Sequence, residues 1–311
     1  MDCKAFVREQ VEDIRRAVGD ATVISALSGG VDSSVVTVLG HLAIGEQMKV
    51  VFIDDGLMRQ DEPQEVKSIF APFGIRVRVL NAKQRFFDAF RGLTDPEEKR
   101  KAFRDTFYKV FGEAVRASGA RYLLQGTIAP DILETKKGVK TQHNVLAQIG
   151  IDPRSGYGFG VVEPIKTLYK PDVRRLAKFL GLPPAIAQRM PFPGPGLSAR
   201  CMGEVTPERI AIVRKACLIV EQEMAGSRAF QVFGVLLADR PTGITKDGRR
   251  REGDAVAIRC VDSEKAVLAT PTKVSWAKLL RMRDRILQEI PSVTKVLYDL
   301  TPKPPSTIEY I

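Results

Sequence analysis

Apolar residues in the first half of the chain fall into short runs separated by longer segments of mixed polarity. The runs with the length and β-branched composition of strands are 22–27, 49–54, 75–80, 121–125 and 159–163. The segments with helical spacing of apolar residues are 4–18, 32–43, 61–72, 96–117 and 170–180. Strands that are apolar on both faces and alternate with helices are typical of a parallel sheet covered on both sides. The pattern therefore predicts an α/β fold with a doubly wound parallel sheet.

The alternation of predicted strands and helices stops at residues 190–197, where three prolines and two glycines exclude a helix and a central strand. Beyond this segment, Thr206 and Pro207 predict the cap and first turn of a helix. Further strands are predicted at 229–238, 254–261 and 293–300, and a helix at 272–289 whose apolar face includes Trp276 and Leu287. This order fits a smaller α+β domain, so we expect one domain over 1–190 and a second over 191–311.

The most informative segment lies between the first predicted strand and the following helix. It consists of Ser28, Gly29, Gly30, Val31, Asp32, Ser33 and Ser34. Two glycines let backbone N–H groups approach an oxyanion, and the N-terminus of the helix favours the negative charge. The serine hydroxyls add donors, and the carboxylate of Asp32 suits a magnesium ion held against phosphates. No lysine follows the glycines, so the segment predicts a nucleotide phosphate loop that differs from the common P-loop.

Polar residues follow two other predicted strands. Asp54 ends the second strand, and Gly126 and Thr127 follow the fourth. Ligands of doubly wound sheets bind at the carboxyl ends of the strands, so we expect these residues to share one crevice with the 28–34 loop. Asp131, a few residues further on, is a second candidate metal ligand.

The hydrophobic pattern alone does not decide the role of two polar segments. Residues 138–144 are polar, contain a glycine and include His143, which is typical of a mobile loop over a site. The other histidine, His41, falls in a helical pattern and is assigned to packing or to the surface. The tail 303–311 offers a lysine that suits a phosphate, although a frayed C-terminus is the simpler interpretation.

Composition narrows the class of protein. The 311 residues have room for about two domains, and the net charge of +11 favours anionic ligands such as nucleotides. Nucleic-acid binding is not predicted, because charge runs usually form solvated faces and no RNA-module signature is present. The four cysteines form no CxxC pair and indicate reduced thiols in a cytoplasmic protein. No apolar run approaches the ~20 residues of a membrane span and the N-terminus has no signal pattern, so we expect no membrane association.

Taken together, the motifs resemble those of the N-type ATP pyrophosphatases, which cleave ATP between the α- and β-phosphates. Within that group they resemble the synthetase subunits of GMP synthases of the archaeal type, whose glutaminase is a separate chain. The motifs span essentially the full length: LSGGVDSS (27–34), DPEEKRK (95–101), QGTIAPD (125–131), HNV (143–145), EPIKTLYK (163–170), RMPFPGPGL (189–197), GEVTPE (203–208), VLYDL (296–300) and KPPSTIEY (303–310). The PFPGPGL and KPPSTIEY segments are far more specific than the 28–34 loop, which sister families share.

The resemblance implies an adenine nucleotide alpha-hydrolase-like domain followed by a dimerisation domain, with xanthosine 5′-monophosphate (XMP) bound across the two. It implies ATP and Mg2+ as cofactors and makes Asp32, Lys140 and His143 the catalytic residues, with Asn144 in the same lid. The positions that match XMP-binding residues of the family are Arg100, Gln231, Lys303, Ile308 and Glu309. The implied partners are a separate glutaminase subunit that supplies ammonia and a second copy of this chain.

The implied reaction begins with attack of the 2-oxo oxygen of XMP on the α-phosphate of ATP, which releases pyrophosphate. Ammonia then displaces AMP from the adenylylated intermediate and gives GMP. The sequence departs from the family pattern at Gln142, Leu146 and 102–104, which the family would place near XMP. Two alternatives stay open: a related ATP pyrophosphatase that activates another carbonyl, such as that of a tRNA base, and a nucleotide-binding regulator without catalysis.

Overall fold

The structure is a computed structural model that describes residues 1–136, 160–245, 247–264 and 266–311. It contains two compact units. The first comprises Met1–Asp54, Asp61–Ala82 and Asp105–Arg189, and the second comprises Asp55–Gln60, Lys83–Arg104 and Met190–Ile311. Two stretches upstream of residue 190 thus belong to the second unit, where Arg214 Nε, for example, donates to the carbonyl of Met58 at 2.9 Å. The expected domains 1–190 and 191–311 do not coincide with these units and stay a prediction.

The secondary structure alternates in the first unit and is mixed in the second. The helices are α1 (Cys3–Val18), α2 (Val31–Ile44), α3 (Glu62–Phe70), α4 (Lys83–Phe90), α5 (Pro96–Ser118), α6 (Ala129–Lys136), α7 (Lys170–Phe179), α8 (Pro184–Ala187), α9 (Pro207–Glu223) and α10 (Trp276–Glu289). The strands are β1 (Val23–Leu27), β2 (Met48–Asp54), β3 (Val77–Asn81), β4 (Tyr122–Leu124), β5 (Gly160–Val162), β6 (Gln231–Leu236), β7 (Thr242–Ile244), β8 (Arg250–Glu252), β9 (Asp254–Asp262), β10 (Thr270–Pro271) and β11 (Val293–Tyr298).

The sheet of the first unit has the order β3-β2-β1-β4-β5 among the described residues, and every pairing is parallel. The order runs in one direction from β1 to β3 and in the other from β1 through β4 to β5. This reversal beside β1 is the point at which sheets of this class bind ligands. The predicted doubly wound α/β fold is confirmed.

Close packing fixes helix α2 over the centre of this sheet. The hydroxyls of Ser25 on β1 and Thr37 on α2 lie 2.8 Å apart in the buried interface. A Cβ atom at Gly40 would approach Leu124 Cδ1 of β4 to 2.5 Å, so a larger residue there would require Leu124 to shift. The N-terminus of α2, where the 28–34 loop ends, therefore lies close beside β1 and β4.

The sheet of the second unit is built around β9. Strands β6 and β10 pair with it in antiparallel orientation, and β11 pairs in parallel. Helix α9 covers β6 closely, because a Cβ atom at Gly234 would lie 2.7 Å from Ala216 Cβ. A smaller α+β unit of this kind agrees with the prediction from the sequence.

Helix α10 differs from its prediction at its start and on its apolar face. It begins at Trp276 rather than at 272, because the Ser275 hydroxyl caps it by accepting the N–H of Lys278 at 3.4 Å. Met282 and Ile286 are buried, whereas Trp276 is 73% exposed and Leu287 39% exposed. The predicted apolar face is thus wrong at these two residues, since the helix packs through its middle turns.

Candidate functional site

The 28–34 loop joins β1 to α2 and is closed by its own hydroxyl groups. Ser33 Oγ accepts the N–H of Ser28 at 3.2 Å and donates to the Gly30 carbonyl at 3.1 Å. Ser34 Oγ donates to the same carbonyl at 2.8 Å. Gly30 is the N-cap of α2 and makes no side-chain capping bond. The loop therefore has a defined shape, and the N–H groups of the first helical turn are oriented for an anion.

Gly29 is the tightest point of the loop. Its φ angle is +74°, and a Cβ atom there would lie 2.3 Å from Glu62 Oε1 and 2.8 Å from Arg189 Nη1. Arg189 Nη1 donates to the Gly29 carbonyl at 2.8 Å and lies 2.7 Å from Glu62 Oε1. The loop thus rests on an arginine–carboxylate pair for which the sequence predicted no role.

Asp32, in the first turn of α2, has two carboxylate oxygens in different surroundings. Oδ2 forms an ion pair with Lys170 Nζ at 2.5 Å. Oδ1 is buried and has no hydrogen-bond partner among the described residues. Lys170 is the first residue of α7 and belongs to the EPIKTLYK motif, although the sequence did not single it out. A buried carboxylate oxygen without a donor is a suitable ligand for a hard cation such as Mg2+.

Residues after β4 lie directly against this loop. A Cβ atom at Gly126 would come within 3.0 Å of the backbone of Asp32 and Ser33. The hydroxyl of Thr127 donates to Glu163 Oε1 at 2.5 Å, which ties the end of β4 to the residue after β5. The expected convergence of the 28–34 loop with Gly126 and Thr127 is therefore present at the carboxyl edge of the sheet. Asp54 ends the neighbouring strand β2 and is buried.

Asp131 is placed differently from Asp32. It lies in the first turn of α6, where its Oδ2 accepts the N–H of Ile128 at 3.1 Å. The described parts of the chain contain no cluster of three or more histidine, cysteine, aspartate and glutamate side chains that would hold a metal ion by themselves.

In the second unit, Glu309 is held by two buried side chains. Arg200 donates from Nε to Oε2 at 3.0 Å and from Nη2 to Oε1 at 2.8 Å. Gln231 Nε2 also donates to Oε1, and it reaches the Pro191 carbonyl at 3.2 Å. The Arg200 guanidinium lies over the Phe233 ring, 4.1 Å from its centre. Burial acts against the charge on Arg200, but Cys217 and Glu309 outweigh it and raise the pKa of Arg200 above its ordinary value.

The C-terminal tail is anchored rather than frayed. Arg259, whose side chain is fully buried, pairs with Asp299 at 3.0 Å and donates to the carbonyls of Thr301 and Thr307. Lys303 forms an antiparallel bridge with Ala269, and its Nζ donates to the Ala266 carbonyl at 2.8 Å. Ile308 is buried. The simpler interpretation of residues 303–311 as a loose end is wrong, because Arg259 binds the carbonyl of Thr307 and Arg200 binds the side chain of Glu309.

Arg100 lies on the first turns of α5. Asp95 caps this helix by accepting the N–H groups of Glu97 and Glu98 at 2.9 Å each. Lys99 is buried and donates to the Cys201 carbonyl at 2.8 Å, and burial lowers the pKa of its ammonium group. The basic run at 99–101 is therefore not simply a solvated face: Lys99 anchors the helix that carries Arg100.

Lys140, His143 and Asn144 of the expected lid lie outside the described residues, as do Gln142 and Leu146. Glu163, Lys170 and Arg189, which support the 28–34 loop and the end of β4, all belong to motifs that were recognised in the sequence. The motifs therefore indicated the regions in which these residues lie. Arg200 and Arg259 were not indicated by the sequence, because a buried arginine is not distinguishable from a solvated one in a sequence.

All four cysteines are free thiols, and the described helices include none that is both long and apolar enough to cross a bilayer.

Comparison with known proteins identifies relatives over the whole chain. The family described as NAD synthase matches residues 1–197, and the GMP synthase C terminal domain matches residues 219–310. A protein from Archaeoglobus fulgidus that is named as a subunit of glutamine-hydrolyzing GMP synthase is 47% identical over 310 residues, covering 100% of both chains. Proteins of the same name from Pyrococcus horikoshii and Methanopyrus kandleri are 48% and 45% identical, covering at least 99% of each chain. The chain belongs to the family of synthetase subunits of glutamine-hydrolyzing GMP synthases.

Proposed function

We propose that this chain catalyses the ATP-dependent amination of XMP to GMP, with AMP and pyrophosphate as the other products. The observation that carries the proposal is the full-length similarity, at 45–48% identity, to proteins named as subunits of glutamine-hydrolyzing GMP synthase. This similarity extends over both the unit that contains the 28–34 loop and the unit that contains the anchored tail. The 2-oxo oxygen of XMP forms a bond to the α-phosphorus of ATP, and the bond to pyrophosphate breaks. Ammonia then bonds to C2, loses its extra proton, and AMP departs with the former 2-oxo oxygen.

ATP is assigned to the carboxyl edge of the parallel sheet. The N–H groups at the start of α2 and the hydroxyls of Ser28 and Ser33 suit the phosphates. Gly126 lets the end of β4 approach the loop, and Asp54 and Thr127 are the remaining candidates for nucleotide contacts. Positioning and charge neutralisation are the main contributions to catalysis that such a site makes.

Asp32 is the best candidate for holding Mg2+. Within the part of the chain that the structure describes, its buried Oδ1 has no hydrogen-bond partner, and Lys170 stabilises the charge of the same carboxylate. When bound with ATP, Mg2+ supplies positive charge that offsets the charge developing on the phosphates. Asp131 remains a proposed second ligand.

XMP is assigned to the second unit through Arg100, Gln231, Lys303, Ile308 and Glu309. Support comes from the way in which these residues are held. Glu309 receives hydrogen bonds from Arg200 and Gln231, and Lys303 belongs to a bridge with Ala269. Preorganised side chains of this kind lose little entropy on binding a ligand.

Lys140 and His143 remain proposed catalytic residues, and their placement is outside the described part of the chain. The relatives are named as one subunit of a glutamine-hydrolyzing enzyme, which supports a separate glutamine amidotransferase chain as the source of ammonia. A homodimer of this chain and a cytoplasmic location are also proposed.

The direct test is pyrophosphate release by the purified chain with Mg-ATP and ammonium, with and without XMP. The proposal expects release that requires XMP, with one GMP formed for each pyrophosphate. Release that requires a tRNA in place of XMP would support the alternative carbonyl acceptor. ATP binding without turnover in the presence of XMP and ammonium would point to a regulator and contradict the proposal.

A further inference from the structure

We propose that Arg189 is a positioning residue that holds the Gly29 carbonyl so that the 28–34 loop presents its next N–H group to phosphate. The inference rests on the proposed role of this loop in binding ATP and is independent of the acceptor. Arg189 is the last residue of the first unit and immediately precedes the MPFPGPGL segment.

A single guanidinium nitrogen makes both contacts. Arg189 Nη1 donates to the Gly29 carbonyl at 2.8 Å and lies 2.7 Å from Glu62 Oε1. The side chains of Arg189 and Glu62 are 15% and 1% exposed. Hydrogen bonds from a charged donor are strong in such dry surroundings, so the Gly29 carbonyl is firmly held.

The carbonyl of Gly29 and the N–H of Gly30 belong to one planar peptide group and point in opposite directions. Fixing the carbonyl on Arg189 therefore fixes the direction of the Gly30 N–H. Within the described structure this N–H has a long contact of 3.4 Å with Ser28 Oγ, which is a weak hydrogen bond. A phosphate oxygen is a better acceptor for it.

The loop needs this restraint because glycine adopts several backbone conformations at similar cost. Gly29 has a φ of +74° and is followed by a second glycine, so the peptide between them rotates easily in the absence of an outside contact. The hydroxyl groups of Ser33 and Ser34 both bind the carbonyl of Gly30, one peptide further on. The Gly29–Gly30 peptide itself is held by the short hydrogen bond from Arg189 to its carbonyl, at 2.8 Å, and by the long contact of its N–H with Ser28 Oγ, at 3.4 Å.

Arg189 also offsets the charge of Glu62, whose carboxylate lies beneath the loop. Removing Arg189 alone would take away the positive charge beside the buried carboxylate of Glu62, close to a site for polyphosphate. The positioning of the Gly29 carbonyl and the neutralisation of Glu62 can be separated by substitution. Glu62→Gln removes the negative charge, and Arg189→Met removes the donor to the Gly29 carbonyl. The double variant R189M/E62Q therefore reports the positioning effect by itself.

The test is calorimetric binding of Mg2+ with α,β-methylene-ATP, which lacks a cleavable α–β bridge, and of AMP. R189M and R189M/E62Q are each expected to bind α,β-methylene-ATP about tenfold or more weakly, the loss that a charge-assisted hydrogen bond predicts. AMP lacks the β- and γ-phosphates, so its affinity is expected to stay within about twofold of wild type. If R189M does not fold, the double variant is used for the test, since it removes the negative charge of Glu62 together with the positive charge of Arg189.

Arg15→Met is the matched control. Arg15 Nε donates to the Ala43 carbonyl at 2.6 Å at the opposite end of α2, so this variant also loses an arginine–backbone contact. It is expected to bind α,β-methylene-ATP as the wild type does. Wild-type affinity of R189M/E62Q for the analogue, or equal losses for the analogue and AMP, would overturn the inference. Failure of the wild type to form GMP would refute the proposed function and leave this binding test intact.

Discussion

Arg200 binds both carboxylate oxygens of Glu309, from Nε at 3.0 Å and from Nη2 at 2.8 Å. The guanidinium is 1% exposed and lies over the Phe233 ring, so it does not turn without losing packing as well as hydrogen bonds. Glu309 belongs to the KPPSTIEY motif, and Arg200 follows PFPGPGL by only a few residues. The ion pair thus joins the KPPSTIEY motif to the segment that follows PFPGPGL, and Gln231 links Glu309 to the carbonyl of Pro191 within PFPGPGL.

Replacing Arg200 with methionine is expected to raise the KM for XMP by about tenfold or more, because Glu309 loses both hydrogen bonds from Arg200 and keeps the one from Gln231. The KM for ATP is expected to stay near the wild-type value. Breaking a buried pair by removing one partner also costs about 3 kcal/mol or more of folding free energy. Steady-state kinetics at saturating ATP, together with urea unfolding, measure the two effects.

The matched control for this variant is Arg209→Met. Arg209 Nη2 donates to the carbonyls of Met202 and Leu237 at 2.6 and 3.2 Å, so its loss also removes arginine contacts from the second unit. We expect it to lower stability without a selective change in the KM for XMP. A proportionate rise in the KM values for XMP and ATP in R200M would contradict the assignment of Glu309 to XMP.

Gly29 and Gly30 are expected to respond differently to alanine. Gly29 has a φ of +74°, and a Cβ atom added there would lie 2.3 Å from Glu62 Oε1. Gly30 has a φ of −82°, and its Cβ would lie 3.3 Å from Ser28 Oγ. Gly29→Ala should therefore lower the free energy of unfolding by about 1–3 kcal/mol, whereas Gly30→Ala should have a much smaller effect. Equal losses in urea unfolding experiments would show that the loop is not constrained at Gly29.

Asp32→Asn is expected to raise the Mg2+ concentration needed for half-maximal pyrophosphate release. A neutral amide oxygen is a weaker ligand for a hard cation than the unpartnered carboxylate oxygen Oδ1. Asp172→Asn is the control, because Asp172 pairs with Arg175 at 3.5 Å on the same helix as Lys170. An unchanged Mg2+ titration of D32N would remove Asp32 from the proposed metal site.

The tail is expected to loosen at alkaline pH through Tyr310. Burial and the hydrogen bond to Asp299, at 2.8 Å, raise the pKa of this phenol above its ordinary value of 10.0. The unfolded chain therefore loses the proton first as pH rises. The stability that the phenol contributes is fully present below pH 10.0 and declines as pH rises from there towards the folded-state pKa.

Tyr310→Phe should consequently show a flatter decline of unfolding free energy above pH 10.0 than the wild type. Tyr169→Phe is the control, since it removes the hydroxyl of a tyrosine that is 53% exposed. Unfolding by urea at several pH values on both sides of this point measures the slopes. Parallel curves for wild type and Y310F would contradict an anchoring role for the phenol.

Elements with strong periodicity were predictable from the sequence. The apolar runs of β1 and β2 predicted the parallel sheet, and the glycine turn before α2 predicted the loop at its edge. Helix α4 was not predicted, because its eight residues follow β3 almost directly and give too little periodic signal. The start of α10 was misplaced because the capping role of Ser275 is not evident within a polar segment.

Buried charges were the part of the site that the sequence did not reveal. Glu62, Lys99, Arg200 and Arg259 are all buried, yet charged residues are exposed in most sequence contexts. Their positions depend on contacts between residues far apart in the chain, such as Arg189 with Gly29. The motifs RMPFPGPGL and KPPSTIEY marked the regions, but only the folded structure assigns individual partners.

Attack of the 2-oxo oxygen of XMP on ATP would transfer that oxygen to AMP. The transfer is measured with XMP labelled with oxygen-18 at the 2-oxo position, with Mg-ATP, ammonium and the purified chain, and mass spectrometry of the products. We expect one labelled oxygen in AMP for each GMP formed, and none in pyrophosphate. Label that appears in pyrophosphate or water, or GMP formed together with unlabelled AMP, would contradict this expectation.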